Sequence, residues 1–400
     1  MMSPSFNTGS TAAYISHISA TVPSITFHHL PAIPLDLDSF PSMEAIIFEV
    51  LRLSNPHVRR ALQFIASVSA FVIDFFCSSS LPISDELNIP TFFFLPSGAC
   101  VLAFFLYFPK IHQNMTLSFK DMKNTLLHVP GIPPIPSSDM IRPMLDREST
   151  DYKNFLDSAL KFPNSAGLIV NTFERLESKP LKSIQEGKCN PDGNTPPVFC
   201  VGPLLATENR HGAAAAVHDC LKWLDSQPSK SVVYLCFGSL GLFSSNQLHE
   251  IALGLERSGQ RFLWVVWSPP LGGERNRFLP PPEPDLDVIL PAGFVDRTRD
   301  RRLVVKSWTP QVAVLNHASV GGVVMVEDMK VALRMNEAAE DGFVAAEEVE
   351  RRVRELMESE KGNNVRKVVE EMSVAAREAL SDGGSSIVAL EKLVQLWKSG

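Results

Sequence analysis

Several features that mark large classes of protein are scarce or missing in this chain of 400 residues. It has no run of basic residues, and its formal net charge is -7. Nucleic acid binds to basic stripes, so this balance disfavours a nucleic-acid partner. Residues 1–19 have neither the basic start nor the apolar segment of a secretory signal, which predicts a cytoplasmic protein.

Long apolar runs and paired cysteines are scarce as well. The most apolar stretch, residues 92–108, is interrupted by Pro96, Ser97 and Gly98. It falls short of the roughly 20 residues that a membrane-spanning helix needs, so no stable membrane insertion is expected. The six cysteines show no metal-ligand spacing such as CxxC. We therefore expect reduced cysteines, mostly within the core, and no metal site.

Short runs rich in β-branched and aromatic residues alternate with helical stretches along the chain. The runs lie at 70–76, 91–95, 167–172, 231–237, 261–266 and 303–307. Because they are apolar on both faces, they predict parallel strands covered by helices on both sides, which is the doubly wound α/β class. A stretch rich in Pro, Gly and Asn, 187–203, predicts a linker, so we expect two domains at 1–195 and 196–400.

Gly238 and Ser239 follow the run at 231–237 and precede a predicted helix at 244–257, for which Ser244 and Gln247 indicate a capping box. Small residues at such a turn let backbone N–H groups approach a diphosphate. A turn that needs glycine for its own geometry explains them equally well. The pattern is not GxGxxG and no acidic residue lies in the expected place, so a nicotinamide-dependent dehydrogenase ranks far below.

Trp308 and Gln311 follow the run at 303–307. A Trp at the carboxyl end of a strand can stack on a nucleobase, and a Gln three residues later can bond to a ribose hydroxyl. On these two residues alone, a half-buried Trp that packs the domain edge is the stronger interpretation.

Four longer segments alter that balance, and they occur in order at 223–228, 231–241, 290–298 and 304–322. They resemble successive signature blocks of the plant family-1 UDP-dependent glycosyltransferases. Segments 70–76, 92–99, 128–136 and 167–177 extend the resemblance through the first half of the chain. The detailed pattern is similar to phenolic and flavonoid glucosyltransferases of the anthocyanidin, hydroquinone and dihydrochalcone types.

The resemblance implies two Rossmann-like domains that face each other across a cleft, the GT-B arrangement, with a last helix near 387–397 packing on the first domain. It implies that the second domain binds UDP-glucose: Trp308 stacks on uracil, Gln311 contacts the ribose, and Gly238 and Ser239 approach the diphosphate. The small phenolic acceptor is expected mainly in the first domain.

The resemblance places Pro96 and Ser97 in the acceptor pocket, although Pro96 stands where relatives often have a threonine near the sugar. Asp74 matches the aspartate that orients the catalytic histidine of the family and balances the developing imidazolium. No residue of this chain matches that histidine. His317 lies before the glycine pair that ends at Gly322, and we expect it to be a surface or capping residue.

After Gly322 the chain lacks roughly one βαβ unit, about 30 residues, of the family pattern. Residues 320–327 still predict a strand, and each domain is expected to lack part of its sheet. The resemblance implies an inverting, metal-free transfer of glucose from UDP-glucose by a monomer without a bound cofactor. The alternative is a truncated, catalytically impaired product or pseudoenzyme that retains only acceptor binding or partial nucleotide binding.

Overall fold

The computed structural model describes residues 10–205, 218–238, 243–269, 282–324 and 342–399. The chain divides into unit 1, Met1–Leu205 with Val374–Gly400, and unit 2, Ala206–Ser373. In the described ranges the helices α1 to α14 are Ser10–Thr21, Met43–Phe64, Leu81–Glu86, Ala99–Asn114, Thr150–Lys161, Ser178–Gln185, Asp219–Asp225, Ser245–Ser258, Leu286–Ile289, Phe294–Arg297, Gln311–Leu315, Ala346–Glu358, Glu360–Ala379 and Ser385–Ser399. The strands β1 to β10 are Phe71–Asp74, Thr91–Leu95, Leu126–Leu127, Ile135–Pro136, Gly167–Val170, Val198–Cys200, Val232–Leu235, Arg261–Val266, Arg302–Lys306 and Val320–Val324.

Unit 1 is built on a four-stranded sheet of order β1-β2-β5-β6, and every neighbouring pair in it is parallel. The predicted parallel α/β class is confirmed. Strand β6 lies inside 187–203, so the prediction of a linker is wrong for that part. Three consecutive apolar residues, Val198 to Cys200, are enough to add an edge strand beside β5. The first unit accordingly extends to Leu205 rather than to residue 195.

Alternate residues of β2 and β5 face two different cores of unit 1, as a pleated strand requires. Phe93 belongs to a large cluster formed with α4, α5 and the 3-10 helix that follows β1. Phe92 belongs to a second cluster with Leu393 and Trp397 of α14, and its ring centroid lies 5.7 Å from that of Trp397. Both faces of this sheet are therefore covered. No helix among the described residues is long and apolar enough to cross a membrane.

Unit 2 has a four-stranded sheet of order β10-β7-β8-β9, again with parallel pairing throughout. The chain runs outward from β7 through β8 to β9 and then places β10 on the opposite side of β7. Ligands of open α/β sheets bind at the carboxyl ends of the strands where the order reverses in this way. The strand predicted at 320–327 is confirmed for β10, and residues 325–327 lie outside the described part of the chain.

Helix α8 begins where the sequence predicted, because Ser244 Oγ accepts a hydrogen bond from the N–H of Gln247 at 3.2 Å. The second half of the predicted capping box is not made. The Gln247 amide instead bonds to Val344, donating to its carbonyl at 2.8 Å and accepting from its N–H at 2.9 Å. Gln247 thus joins α8 to the segment that leads into α12.

Candidate functional site

The chain leaves β9 through a tight turn that carries Trp308 out of the sheet. Ser307 has φ +64, a left-handed conformation that few residues other than glycine adopt. The N–H of Ser307 donates to the carbonyl of Val266 at 2.9 Å, and the N–H of Trp308 donates to that of Lys306 at 2.7 Å. The Trp308 side chain is 53% exposed, so an indole face is available at the carboxyl end of the sheet.

A buried hydrogen bond lies beneath this tryptophan. Thr309, the next residue, is buried, and its Oγ1 lies 2.7 Å from the hydroxyl of Tyr234 in β7. Burial raises the pKa of Tyr234 far above its usual range, so its hydroxyl remains protonated. Tyr234 has the sequence pattern of an ordinary core strand residue, so no sequence signal indicates this pair.

His218 contacts the indole from the side. The ring centroids of His218 and Trp308 are 5.8 Å apart at an interplanar angle of 73°, an edge-to-face arrangement. The imidazole is itself held, because His218 Nδ1 accepts from the N–H of Cys220 at 3.3 Å and caps α7. No sequence pattern singled out this histidine.

Gly238 follows β7 at the same edge of the sheet. It has φ +70, and a methyl group added to it would meet none of the described atoms within 4 Å, so it is the backbone conformation that calls for glycine here. Strand β8 separates β7 from β9, which places the turns after those strands about 10 Å apart. Gln311 is exposed at the start of α11. Ser239 lies outside the described residues.

The glycine pair that ends the resemblance is used for packing. A Cβ on Gly321 would lie within van der Waals overlap of the Lys230 carbonyl oxygen, 2.1 Å away. A Cβ on Gly322 would lie 2.7 Å from the Leu356 side chain in α12. Both glycines therefore permit the close approach of β10 to its neighbours.

His317 caps its own turn, which confirms the expectation for this residue. Its Nδ1 accepts from the N–H of Ser319 at 3.3 Å, which leaves the proton on Nε2. That nitrogen donates to Asp225 Oδ1 at 3.1 Å. The side chain joins the turn before β10 to the end of helix α7.

Asp74 is the last residue of β1 and its side chain is exposed. Its Oδ1 accepts from the N–H of Cys77 at 3.0 Å and caps the 3-10 helix Phe75–Ser80. Burial, with a contribution from the Asp74 charge, raises the pKa of Cys77 to about 12, so the thiol is neutral at physiological pH. In the described part of the chain the hydrogen-bond partner of Asp74 is thus Cys77, and not a histidine.

Pro96 and Ser97 are exposed in the loop that follows β2. Asn171, directly after β5, donates from Nδ2 to the Pro96 carbonyl at 3.2 Å, and its Oδ1 accepts from the N–H of Leu204 at 2.7 Å. One amide therefore ties the loop after β2 to the segment that leaves β6. An Asn at the carboxyl end of a buried strand was the available sequence signal, and it was not used.

Glu177 caps helix α4, which begins immediately after this loop. Its buried carboxylate accepts from the N–H groups of Ala99 at 2.7 Å and Cys100 at 2.8 Å. The positive end of the helix dipole and two backbone donors therefore compensate a carboxylate that is removed from water. This fixed position explains why Gly98 has no side chain, since a Cβ there would lie 2.4 Å from a Glu177 oxygen.

Among the described residues, no group of three or more His, Cys, Asp or Glu side chains is placed to hold a metal ion. The half-exposed Trp308 and the left-handed Gly238 both lie at the carboxyl ends of parallel strands, which is where open α/β sheets of nucleotide-binding proteins bind their ligands.

Comparison with known proteins identifies the family. The chain is 44% identical to UDP-glycosyltransferase 88B1 of Stevia rebaudiana over 98% of this chain and 90% of the relative. It is 44% identical to the phloretin 2'-O-glucosyltransferase of Malus domestica, over 95% and 88%. The solved structure of Phytolacca americana UGT2 complexed with UDP-2-fluoro-glucose and pterostilbene matches with a TM-score of 0.81 at 32% identity, over 96% and 89%. The chain belongs to the plant UDP-glycosyltransferases. No family model matches it.

The length of the first alignment bears on the predicted deletion. It spans 430 positions, whereas 98% of 400 residues is 392, so about 38 positions have no counterpart in this chain. That difference is close in size to the βαβ unit that the sequence predicted to be missing. The likeness nevertheless extends through both units, and the comparisons favour a glycosyltransferase over the impaired product that the sequence left open.

Proposed function

We propose that the protein transfers glucose from UDP-glucose to a hydroxyl group of a small phenolic acceptor of the flavonoid type, with inversion at the anomeric carbon. The observation that carries the proposal is the half-exposed Trp308 at the carboxyl edge of a parallel sheet, in a chain 44% identical to a phloretin glucosyltransferase. Pterostilbene, the acceptor in the related complex, is also a phenol.

The donor is proposed to bind to unit 2. Stacking of the uracil on Trp308 contributes about 1–3 kcal/mol, the usual range for a base on an aromatic side chain. Gln311 lies three residues further on and bonds to the ribose. Gly238 and Ser239 bring backbone N–H groups close to the diphosphate, an arrangement that needs the small residue and positive φ of Gly238.

The acceptor is proposed to bind to unit 1, beside Pro96 and Ser97. The acceptor oxygen forms a bond to the anomeric carbon as the bond from that carbon to the UDP oxygen breaks, and UDP leaves with the electron pair. The acceptor hydroxyl loses its proton in the same process. This proton passes to solvent water, since no residue of the chain matches the histidine of the family, and the exposed Asp74 carboxylate supplies a negative charge that stabilises the protonated water.

The test is to incubate the purified chain with UDP-glucose and a panel of flavonoids, with and without EDTA, and to measure glucoside by mass spectrometry. We expect glucoside to form at the same rate in both conditions, because the proposed reaction needs no metal. Asp74→Asn is the informative variant, since its amide oxygen still accepts from Cys77 while the charge is lost. Its rate should fall by about 100-fold.

Calorimetric titration with UDP separates the two halves of the proposal. Glucoside formation supports both. If the chain binds UDP and forms no glucoside while a relative does so under the same conditions, the catalytic proposal is wrong and only nucleotide binding remains. If UDP produces neither heat nor thermal stabilisation, the assignment of Trp308 and Gln311 is wrong as well.

A further inference from the structure

The turn that presents Trp308 is not stable by its own local geometry. Ser307 occupies the left-handed region without being a glycine. The N–H of Trp308 closes the turn on Lys306, and the N–H of Ser307 ties the start of the turn to Val266 in β8. The Trp308 side chain is 53% exposed, so its own burial is too small to fix the indole. The bonds from Ser307 and Trp308 lie at or before the ring, so a restraint on the residue after Trp308 would further help to hold the ring as a preformed surface for a base.

The hydrogen bond between Thr309 and Tyr234 supplies this restraint. The two hydroxyl oxygens are 2.7 Å apart, and the side chains are 3% and 0% exposed. Tyr234 lies in β7, which has a neighbouring strand on each side and is therefore an interior strand of the sheet. Loss of the Tyr234 hydroxyl would leave the buried Thr309 hydroxyl without this partner, so the bond opposes movement of the residue next to Trp308.

His218 restricts the same indole from a second direction. Its imidazole is held by the cap on Cys220 and meets Trp308 edge to face. The indole is thus restrained through the backbone from the interior of the sheet and through ring contact at its side.

We propose that Tyr234 and Thr309 are positioning residues for the nucleotide: their hydrogen bond fixes the turn at Ser307 and holds Trp308 where a base can stack, with His218 limiting rotation of the ring. The part that concerns the nucleotide rests on the proposed function. Neither Tyr234 nor Thr309 needs to touch the ligand.

The first test is UDP affinity in Tyr234→Phe and Thr309→Val, which remove one hydroxyl each with little change in volume. We expect the dissociation constant to rise about fivefold to tenfold in each, and Thr309→Ser to restore near wild-type affinity. The double variant should bind no worse than the weaker single variant, because the two residues act through one bond.

Thr298→Val is the matched control. Thr298 is also buried in unit 2, and its hydroxyl donates to the Phe294 carbonyl at 2.7 Å. This variant should lower thermal stability by an amount similar to that of Thr309→Val and leave the affinity for UDP unchanged. If Thr298→Val weakens UDP binding as much as Thr309→Val does, the effect is one of general stability and the positioning proposal is overturned.

The second test needs no ligand. Protein labelled with 5-fluorotryptophan contains five tryptophans, and Trp308→Phe assigns the ¹⁹F resonance of Trp308. We expect Tyr234→Phe and Thr309→Val to shift or broaden that resonance, and Thr298→Val to leave it unchanged. An unaltered resonance in the first two variants overturns the proposal. If the wild-type protein binds no UDP, the proposed function fails, and the resonance still decides whether the pair positions Trp308.

Discussion

The carboxyl edges of the two parallel sheets use polar side chains in different ways. In unit 1, the side chains of Glu177 and Asn171 make four hydrogen bonds to the backbone: two at the start of α4, one to the loop after β2 and one to the segment after β6. In unit 2, a left-handed Ser307 carries Trp308 outward, and one side-chain hydrogen bond from Thr309 holds the turn to the sheet. At the edge of the unit 1 sheet, polar side chains hold the loops in place. At the edge of the unit 2 sheet, the indole of Trp308 is exposed.

The two edges are therefore suited to different ligands. A pocket for a rigid phenolic ring benefits from loops that are already fixed before the acceptor binds, because less of the chain then has to become ordered on binding. A base-stacking surface needs an exposed aromatic face, so the contacts that hold the aromatic residue in place have to be made by the residues packed beneath it in the sheet. The four predictions that follow measure how much individual residues of the two units contribute to stability and to UDP binding.

Gly321→Ala is expected to have the largest effect, and it concerns unit 2. The new Cβ would lie 2.1 Å from the Lys230 carbonyl oxygen, and neither backbone can move without opening the pairing of β10 with β7. We expect a loss of about 3 kcal/mol in the free energy of unfolding, the upper end of ordinary overpacking. Urea denaturation with peptide-level hydrogen exchange measures it and assigns it to a unit.

Gly322→Ala is the control for that variant. Its Cβ would meet the Leu356 side chain, which can rotate, so the loss should be clearly smaller. Equal losses at Gly321 and Gly322 would show that backbone proximity is not the reason for the glycine pair.

Glu177→Ala tests the cap at the start of α4 in unit 1. It removes a buried carboxylate and leaves the N–H groups of Ala99 and Cys100 without that acceptor, so we expect a loss of about 2 kcal/mol in unfolding free energy. Amide exchange at the start of α4 should quicken. Glu174→Ala, an exposed glutamate three residues earlier, should change neither quantity. A similar loss in both variants would contradict the capping role.

Sequence patterns predicted the strands and helices better than they predicted the side-chain hydrogen bonds that hold the loops in place. The strands at 91–95 and 261–266 were correct at both ends, because each is a continuous apolar run bounded by polar or turn residues. Strand β6 was missed because three apolar residues among prolines and glycines produce no periodic pattern. Its strand character depends on the neighbouring β5, which is distant in sequence.

The same reason explains the contacts missed at the candidate site. Tyr234 and Thr309 are 75 positions apart, and Asn171 and Pro96 are also 75 apart, so no local spacing relates them. Gln247 had the local signature of a capping box, yet its amide pairs with Val344. A local rule names the residue types that can form such bonds, and the tertiary fold chooses the partner.

Gly238→Ala tests the turn after β7 in unit 2, where a smaller loss of stability is expected. The substitution meets no atom and costs only the left-handed conformation, about 1 kcal/mol. Gly187→Ala in unit 1 is matched, since that glycine also has a positive φ and open space around its Cα. Both variants should lose similar stability, and only Gly238→Ala should weaken UDP binding in a calorimetric titration. Equal UDP affinity in the two variants would remove Gly238 from the proposed diphosphate contact.

The smallest expected effect is a pH dependence at the far end of α4. His112 Nε2 accepts from Arg147 at 3.2 Å, and its Nδ1 lies 3.0 Å from the Tyr152 hydroxyl. Burial, and then the Arg147 charge, lower the pKa of His112 below its usual value of about 6.5. The unfolded chain therefore takes up this proton first as the pH falls. The stability that His112 contributes is complete above the unfolded pKa and is lost progressively below it.

His112→Gln tests this dependence, because glutamine does not titrate. Unfolding free energies measured from pH 8 to pH 5 should decline more steeply for the wild-type protein than for the variant, with the difference developing below about pH 6.5. Peptide-level hydrogen exchange should place the difference in α4 and α5, where the His112 and Tyr152 side chains lie. Parallel pH profiles would show that the bond from Arg147 to His112 Nε2, which protonation removes, contributes no measurable stability beside the Arg147 bonds to the His112 and Met115 carbonyls.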